Sequence, residues 1–256
     1  MSVNHISRLV SRLEQDRDLF SPGQGERKAS LNQQLLNAWI FHDLLLEGEG
    51  VQRDEIQAAL VRRDKEYPVY LHVLFDRIRQ YRAAIEQVWS WSGRGVIALN
   101  LQQVFALHRQ LMTHNPDAGA RFRKSSPVHR DYHQPICSPA GLKEALKTCL
   151  AEARRGVQET SNPLAFAAQF HHQLMFLYPF RERPGCLARL LTNLLLLAQG
   201  YPPLILISAN RHRYYTALAA TDSTQLTQLF NETMRGFLDL KVPLTEQEAQ
   251  RLKWSV

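Results

Sequence analysis

The sequence predicts an all-α bundle with one small non-helical flap, and three observations predict it. Apolar residues recur at helical spacing through most of the chain, and capping residues stand where those runs begin. A single long stretch, 113–139, has neither feature. At 256 residues the chain can build one large domain or two small ones around a sizeable core. Its 45% hydrophobic and 21% charged residues place it with soluble globular proteins and exclude a disordered chain.

Taken in order, Ser30 followed by Gln33 is a capping-box pattern. It opens a run through Leu35, Leu36, Trp39, Ile40, Leu44 and Leu45 that ends at Glu47-Gly48. Helical periodicity then covers 52–63 and 68–90, the second entered at Pro68. Gly93 and Gly95 break the pattern, and Asn100 caps a segment through Met112. The stretch THNPDAGARFRKSSPVHRDYHQPICSP follows, polar and proline-rich, and reads as a loop or short β-hairpin. Helix resumes over 140–156, and Asn162-Pro163 supplies an N-cap and first-turn pair for a helix to Leu177. The segment 186–199 is apolar on nearly every side, which predicts a helix enclosed by others, stopped by Gly200 and Tyr201-Pro202-Pro203. Two more helices are predicted near 210–220 and 223–239, the second capped by Asp222 or Ser223.

Lys and Arg number 31 against 24 Asp and Glu, a formal charge of +7 that favours anionic partners. The cations are scattered, so no block marks a nucleic-acid tail. Cys137, Cys149 and Cys186 are too few and too irregular for a disulfide framework or a zinc site, and fit a reducing compartment. No apolar run is long enough for a membrane span, and MSVNHISRLVSRLEQDRD has no signal-like segment. A cytoplasmic protein is expected, with export as a secreted effector the alternative.

The stretch LYPFRERPGCLARLL, Leu177 to Leu191, carries the chemistry. Its helix start offers free N–H groups to an anion, strengthened by the macrodipole. Glu182 is a candidate metal ligand, and Arg181, Arg183 and Arg189 are candidate phosphate contacts. Magnesium in nucleotide sites is held by one or two carboxylates plus phosphate oxygens. The other reading of these residues is a basic surface loop that begins a core helix.

YPFRERPGCLAR resembles, in degenerate form, the Fic (Fido) family pattern HxFx(D/E)GN(G/K)RxxR. RLLTNLLLLAQGYPPLIL is similar to the family's core helix and exit, and NRHRYYTALAATDSTQLTQLF to its Arg-x-x-Tyr-Tyr segment. LHRQLM with AGARFR resembles the approach to the family's flap, and AWIFHDLLLEGEGVQRDEI its N-terminal region. The resemblance runs from about 30 to 240. It implies an N-terminal helical region over 1–95, a core domain over 96–240 and a tail over 241–256. It also implies a fold related to enzymes that transfer AMP, or another phosphate-containing moiety, to a protein hydroxyl, using ATP with Mg²⁺. By the resemblance Glu182 holds the metal, while Arg183, Gly185, Arg189, Tyr214 and Tyr215 line the nucleotide site.

Four departures bear on the chemistry. Tyr178 stands at the family's catalytic His, and a phenol with a pKa of about 10 is a poor general base at neutral pH. Pro184 stands at the anion-hole Asn and also lacks an N–H; losing one such donor costs about 10²–10³ in rate. Arg183 stands at a Gly, so left-handed backbone there would be strained. Cys186 stands at the first phosphate-binding Arg, either as a buried space-filler or as a thiolate at a helix start. His171 and His172 are candidate substitute bases or structural histidines.

Asp43-Leu44-Leu45-Leu46-Glu47-Gly48 resembles the family's inhibitory pattern (S/T)xxxE(G/N), with Asp43 in place of Ser or Thr. A carboxylate at a helix C-terminus invites a cation, and a Glu47–Arg189 ion pair is expected. The flap from Arg121 to Gln134 holds Arg121, Arg123, Lys124, His129, Arg130 and His133. In the family such a hairpin aligns a target protein by strand addition, and this basic one suggests an acidic partner; nucleic acid is held low because few aromatics interleave with the cations. Three functions follow: a pseudoenzyme that binds a protein partner and a nucleotide weakly, an active transferase using Tyr178, or an interaction module with a closed pocket. Oligomeric state, a homodimer included, is left open.

Overall fold

The computed structural model describes residues 26–93, 99–113, 115, 119–127 and 136–239. Among them are nine α-helices and no strand. In chain order these are α1 (Glu26–Leu46), α2 (Arg53–Leu60), α3 (His72–Ser92), α4 (Leu101–Leu111) and α5 (Leu142–Glu159). Then come α6 (Pro163–Leu177), α7 (Pro184–Ala198), α8 (Arg211–Ala219) and α9 (Thr224–Asp239). The all-α class and the order of helices are those the sequence predicts.

Two predicted starts differ. The chain is already helical at Glu26, so Ser30 lies inside α1 and is not its N-cap. The Glu-Arg-Lys-Ala stretch ahead of Ser30 is made of good helix formers and carries the helix back past it. Pro68 leads into a single 3₁₀ turn, Val69–Leu71, and the α-helix proper begins at His72. Elsewhere the caps act as read. The Asn100 side chain accepts from the N–H groups of Gln102 and Gln103, and Asn162 accepts from Ala165 with Pro163 in the first turn. Asp222 accepts from the Thr224 N–H at 2.8 Å and caps α9. The described part of the flap, 119–127, contains no strand, and the rest of the predicted hairpin lies outside the described residues, as does the predicted tail 241–256.

α7 is the centre of the bundle. Every residue from Pro184 to Leu196 is buried, including Arg189, Thr192 and Asn193, because α3 and α6 pack along its length and α4 crosses it. α9 covers the far side of α6, and α5 and α8 complete the outer layer. Trp39, Phe75, Phe180, Tyr214 and Phe230 belong to one apolar cluster, so helices α1–α3 share a core with the rest. No helix among the described residues is long and apolar enough to cross a membrane.

The polar residues inside α7 are each satisfied. Asn193 donates to the Leu204 carbonyl at 3.1 Å and accepts from the Leu204 N–H at 2.6 Å, which pins the exit segment after Gly200 against the helix. Replacing Asn193 with Ala strands both Leu204 groups in the core, and a buried unmade pair costs about 2–3 kcal/mol. Urea unfolding of Asn193→Ala should show a loss of about that size; a midpoint equal to wild type would contradict the role.

Candidate functional site

The loop between α6 and α7 is shaped by two non-glycine residues in the left-handed region. Tyr178, at φ 45°, ends α6, and Arg183, at φ 56°, precedes α7. Such a conformation costs an L-residue about 1–2 kcal/mol, and it is tolerated here because the surroundings fix the loop. Phe180 is wholly buried and stacks on His108 with ring centroids 4.0 Å apart. The His108 Nδ1 accepts the Ala120 N–H at 2.8 Å, so its Nε2–H donates to the Glu182 carbonyl at 3.0 Å. One neutral imidazole therefore ties α4, the flap and the loop together.

The start of α7 is occupied. A Cβ added to Gly185 would lie 2.5 Å from Glu47 Oε1, so the Glu47 carboxylate lies over Gly185 and a side chain there would have to push it aside. The same oxygen accepts from Arg189 Nη2 at 2.7 Å, which is the expected ion pair. Arg189 Nε donates to Asp43 Oδ1, a second carboxylate one helical turn before the first. Gly48, at φ 82°, turns the chain out of α1 directly after Glu47. Beyond it Glu49 accepts from Arg183 Nη2 at 2.9 Å and from Arg77 Nη1 at 2.5 Å. The segment 43–49 thus supplies three carboxylates to three arginines. Beside Arg183 and the buried Cys186 lies a cavity of about 10 Å³, room for a water and not for a phosphate.

The other side of Arg189 leads into the core. Its Nη1 lies 3.4 Å from the Tyr214 hydroxyl, which is 2.8 Å from His171 Nε2. His171 Nδ1 is 2.9 Å from Thr192 Oγ1, whose own hydrogen goes to the Ala188 carbonyl at 2.7 Å. Read from that end the protons are fixed: Thr192 donates to Ala188, His171 Nδ1–H donates to Thr192, and Tyr214 donates to His171. Tyr214 is fully buried in this chain of bonds. The Tyr215 hydroxyl donates to the Leu46 carbonyl at 2.7 Å, beside the Arg211 Nε bond to the same oxygen at 3.1 Å, so both residues finish α1. His172 sits apart from the loop, with Nε2 3.1 Å from the Ala220 carbonyl.

Arg123 corrects the sequence reading of the flap as a set of surface cations. It is buried and donates to the carbonyls of Tyr178 at 2.7 Å, Leu177 at 3.2 Å, Cys137 at 2.5 Å and Ser125 at 3.1 Å. The C-terminal carbonyls of α6 need donors, and a guanidinium supplies several at once. The Arg123 N–H also donates to the Pro179 carbonyl at 3.0 Å. Arg121 and Lys124 are exposed, while His129, Arg130 and His133 lie outside the described residues.

Residues 98–196 match the Fic/DOC family. That segment, about two fifths of the chain, is where the similarity to Fic/DOC domains lies. The chain is 29% identical over 159 residues to the protein adenylyltransferase Fic of Aedes aegypti, across 61% of this chain and 30% of that protein. The chain spans about a third of the length of the first curated relatives it matches. A Fic domain containing signaling protein from Bacteroides thetaiotaomicron superposes with a TM-score of 0.80 at 16% identity, over 96% of this chain and 98% of that one. IbpAFic2, solved in complex with adenylylated Cdc42, superposes with a TM-score of 0.52 at 17% identity, over 91% of this chain and 76% of that one. These two show the shared fold, and the protein is related to the adenylyltransferases by sequence.

In this Fic motif the donors do not fit a nucleotide triphosphate as they stand. Two carboxylates already fill the Arg189 edge, Glu47 covers Gly185, and Pro184 has no N–H to offer. Glu182 is exposed. Arg181 is likewise exposed. Burial, reinforced by the Glu47 charge, raises the Tyr178 phenol above its ordinary pKa, which moves it away from general-base work. Burial does the same to the Cys186 thiol, again with Glu47 adding to it, so it is no thiolate.

Polar residues whose partners lie across the fold are harder to see in the sequence. His108, Glu49 and Arg77 carry no motif signature, and only the fold brings them to the loop. Asp43 did have a signal, since it precedes Glu47 by four residues and shares its helix face.

Acid stability follows with a definite sign. Burial first, then the Arg189 charge, lowers the His171 pKa from 6.5 to about 3. A folded pKa below the unfolded one gives stability that is complete above 6.5 and is lost as pH falls toward the folded value. Asp43, raised by burial from 3.8 to about 6, acts in the opposite sense between those values. The His171 contribution lost by pH 4 is about 3 kcal/mol. Urea midpoints should fall between pH 6.5 and 4, and fall less steeply in His171→Gln; equal slopes in the two proteins would contradict the assignment.

Proposed function

We propose that this protein is a Fic-fold pseudoenzyme that works by binding a protein partner, with its phosphate-receiving helix start closed by its own carboxylates. The observation that carries this reading is Glu47, which rests on Gly185 and holds Arg189 at 2.7 Å. A phosphate group would need the same space and the same guanidinium edge. Tyr178 in place of a basic imidazole supports the same conclusion, since its raised pKa leaves almost no phenolate at neutral pH. Nucleotide binding, with ATP and Mg²⁺ as the family ligand, is correspondingly weak or absent in this reading.

The partner docks at the flap, where Arg121 and Lys124 stay exposed after Arg123 has turned inward. Their charge suits an acidic protein surface. IbpAFic2 in its complex with adenylylated Cdc42 supports protein recognition as a use of this fold. The three unpaired cysteines support a reducing compartment.

Labelled ATP with Mg²⁺ and a cell lysate tests the reading. No protein labelling above a boiled control is expected from wild type. Robust labelling that disappears in Tyr178→Phe or Glu182→Ala would overturn the pseudoenzyme assignment.

A further inference from the structure

The closed helix start, on which this section rests, is held by more than the one carboxylate the motif pattern assigns. A guanidinium takes an oxyanion through two parallel hydrogen bonds along its Nε–Nη2 edge or its Nη1–Nη2 edge. In this chain the Nε–Nη2 edge is divided. Asp43 takes Nε and Glu47 takes Nη2, while Nη1 faces the Tyr214 hydroxyl. Asp43 is 3% exposed, and its second oxygen, Oδ2, is buried with no hydrogen-bond partner. An unpartnered carboxylate oxygen next to a guanidinium is unusual, because burying it unpaired is costly.

We propose that Asp43 is a second, independent lock on Arg189, so that removing Glu47 alone does not open the site to phosphate. Once Glu47 is gone, Nη2 keeps only its 3.8 Å contact with Cys186 Sγ, and Asp43 Oδ2 is an unpartnered buried acceptor on a carboxylate already bonded to Nε. A small rotation of the Asp43 carboxylate pairs both of its oxygens with the Nε–Nη2 edge. Arg189 then remains neutralised by a fork-to-fork pair, the geometry that phosphate itself would use. A Ser or Thr at position 43, as in the family pattern, has one oxygen and no charge, so it can neither neutralise the guanidinium nor span the edge. The substitution to Asp therefore changes which change opens the site. Opening takes displacement of the whole end of α1, or loss of both carboxylates.

Glu47 and Asp43 contribute unequally to access. Glu47 has a side chain 18% exposed and lies over Gly185, where an incoming ligand meets it first. Asp43 lies deeper, its side chain 4% exposed, on the far end of the same edge. A ligand that displaced Glu47 would still meet a neutralised guanidinium.

Calorimetry with inorganic tripolyphosphate, and separately with ATP and Mg²⁺, on four full-length proteins tests the lock. These are wild type, Glu47→Gly, Asp43→Ser and the double variant, each checked for cooperative unfolding. Asp43→Asn serves in place of Asp43→Ser if the latter does not fold, since it keeps an acceptor for Nε without the charge. Glu47→Gly should bind within about threefold of wild type, and the double variant at least tenfold more tightly than either. Glu47→Gly binding as tightly as the double variant would overturn the lock, and so would a double variant no better than wild type. Tripolyphosphate without ATP binding would place the opened site at the phosphate subsite alone, and still supports the lock. Label transfer by wild type overturns the proposed function, whereas the lock stands or falls on the order of affinities among the four proteins, so the two failures are distinguishable.

Discussion

A single buried charge organises this molecule. Arg189 is 3% exposed in the middle of the buried helix α7, and a lone guanidinium there would be costly. Burial works against its charge, yet Asp43 and Glu47 hold its pKa well above the ordinary value. The strain of the arrangement falls on Asp43. Its pKa is raised by burial first, Arg189 pulls it back, and the neighbouring Glu47 adds like-charge repulsion. Two acids sharing one base in the core is an electrostatic compromise, and the more accessible acid, Glu47, carries the better-solvated half of it.

The placement also reconciles two helix dipoles. Glu47 follows the last turn of α1, where a negative charge is unfavourable, but it meets the first turn of α7, where one is favoured. The second interaction is in contact and the first is partly relieved, because Arg211 and Tyr215 donate to the Leu46 carbonyl. The same few residues thereby fix the end of α1, the start of α7 and the orientation of α8. The loop conformations of Tyr178 and Arg183 are left-handed at a cost, and the buried Arg123, His108 and Phe180 supply the contacts that hold them there.

The fold was legible because its signals are local. Helical periodicity, Asn100, Asn162-Pro163 and Gly200 each act within a few residues, and the helices form where those residues say. Glu47 was legible through its pattern and its awkward place at a helix end. What sequence did not give were the contacts made across the fold by residues without a motif. Arg123 looked like a flap cation, and its inward turn depends on carbonyls more than fifty positions away. His171 and Tyr214 are polar residues on apolar helix faces, and nothing in their spacing shows that one hydrogen-bonded chain links them to Arg189. Left-handed Arg183 was foreseen as a strain, but its partner Glu49 was not, since the pair spans 134 positions.

The central claim is that the chain's own carboxylate holds the place of a phosphate at the start of α7. A crystal structure of the full chain grown with ATP and Mg²⁺ tests it most directly. The account predicts Glu47 Oε1 still in hydrogen-bond contact with Arg189 Nη2 and no phosphate density against Gly185. Phosphate density on the Gly185 backbone, with Glu47 swung away from Arg189, would contradict it.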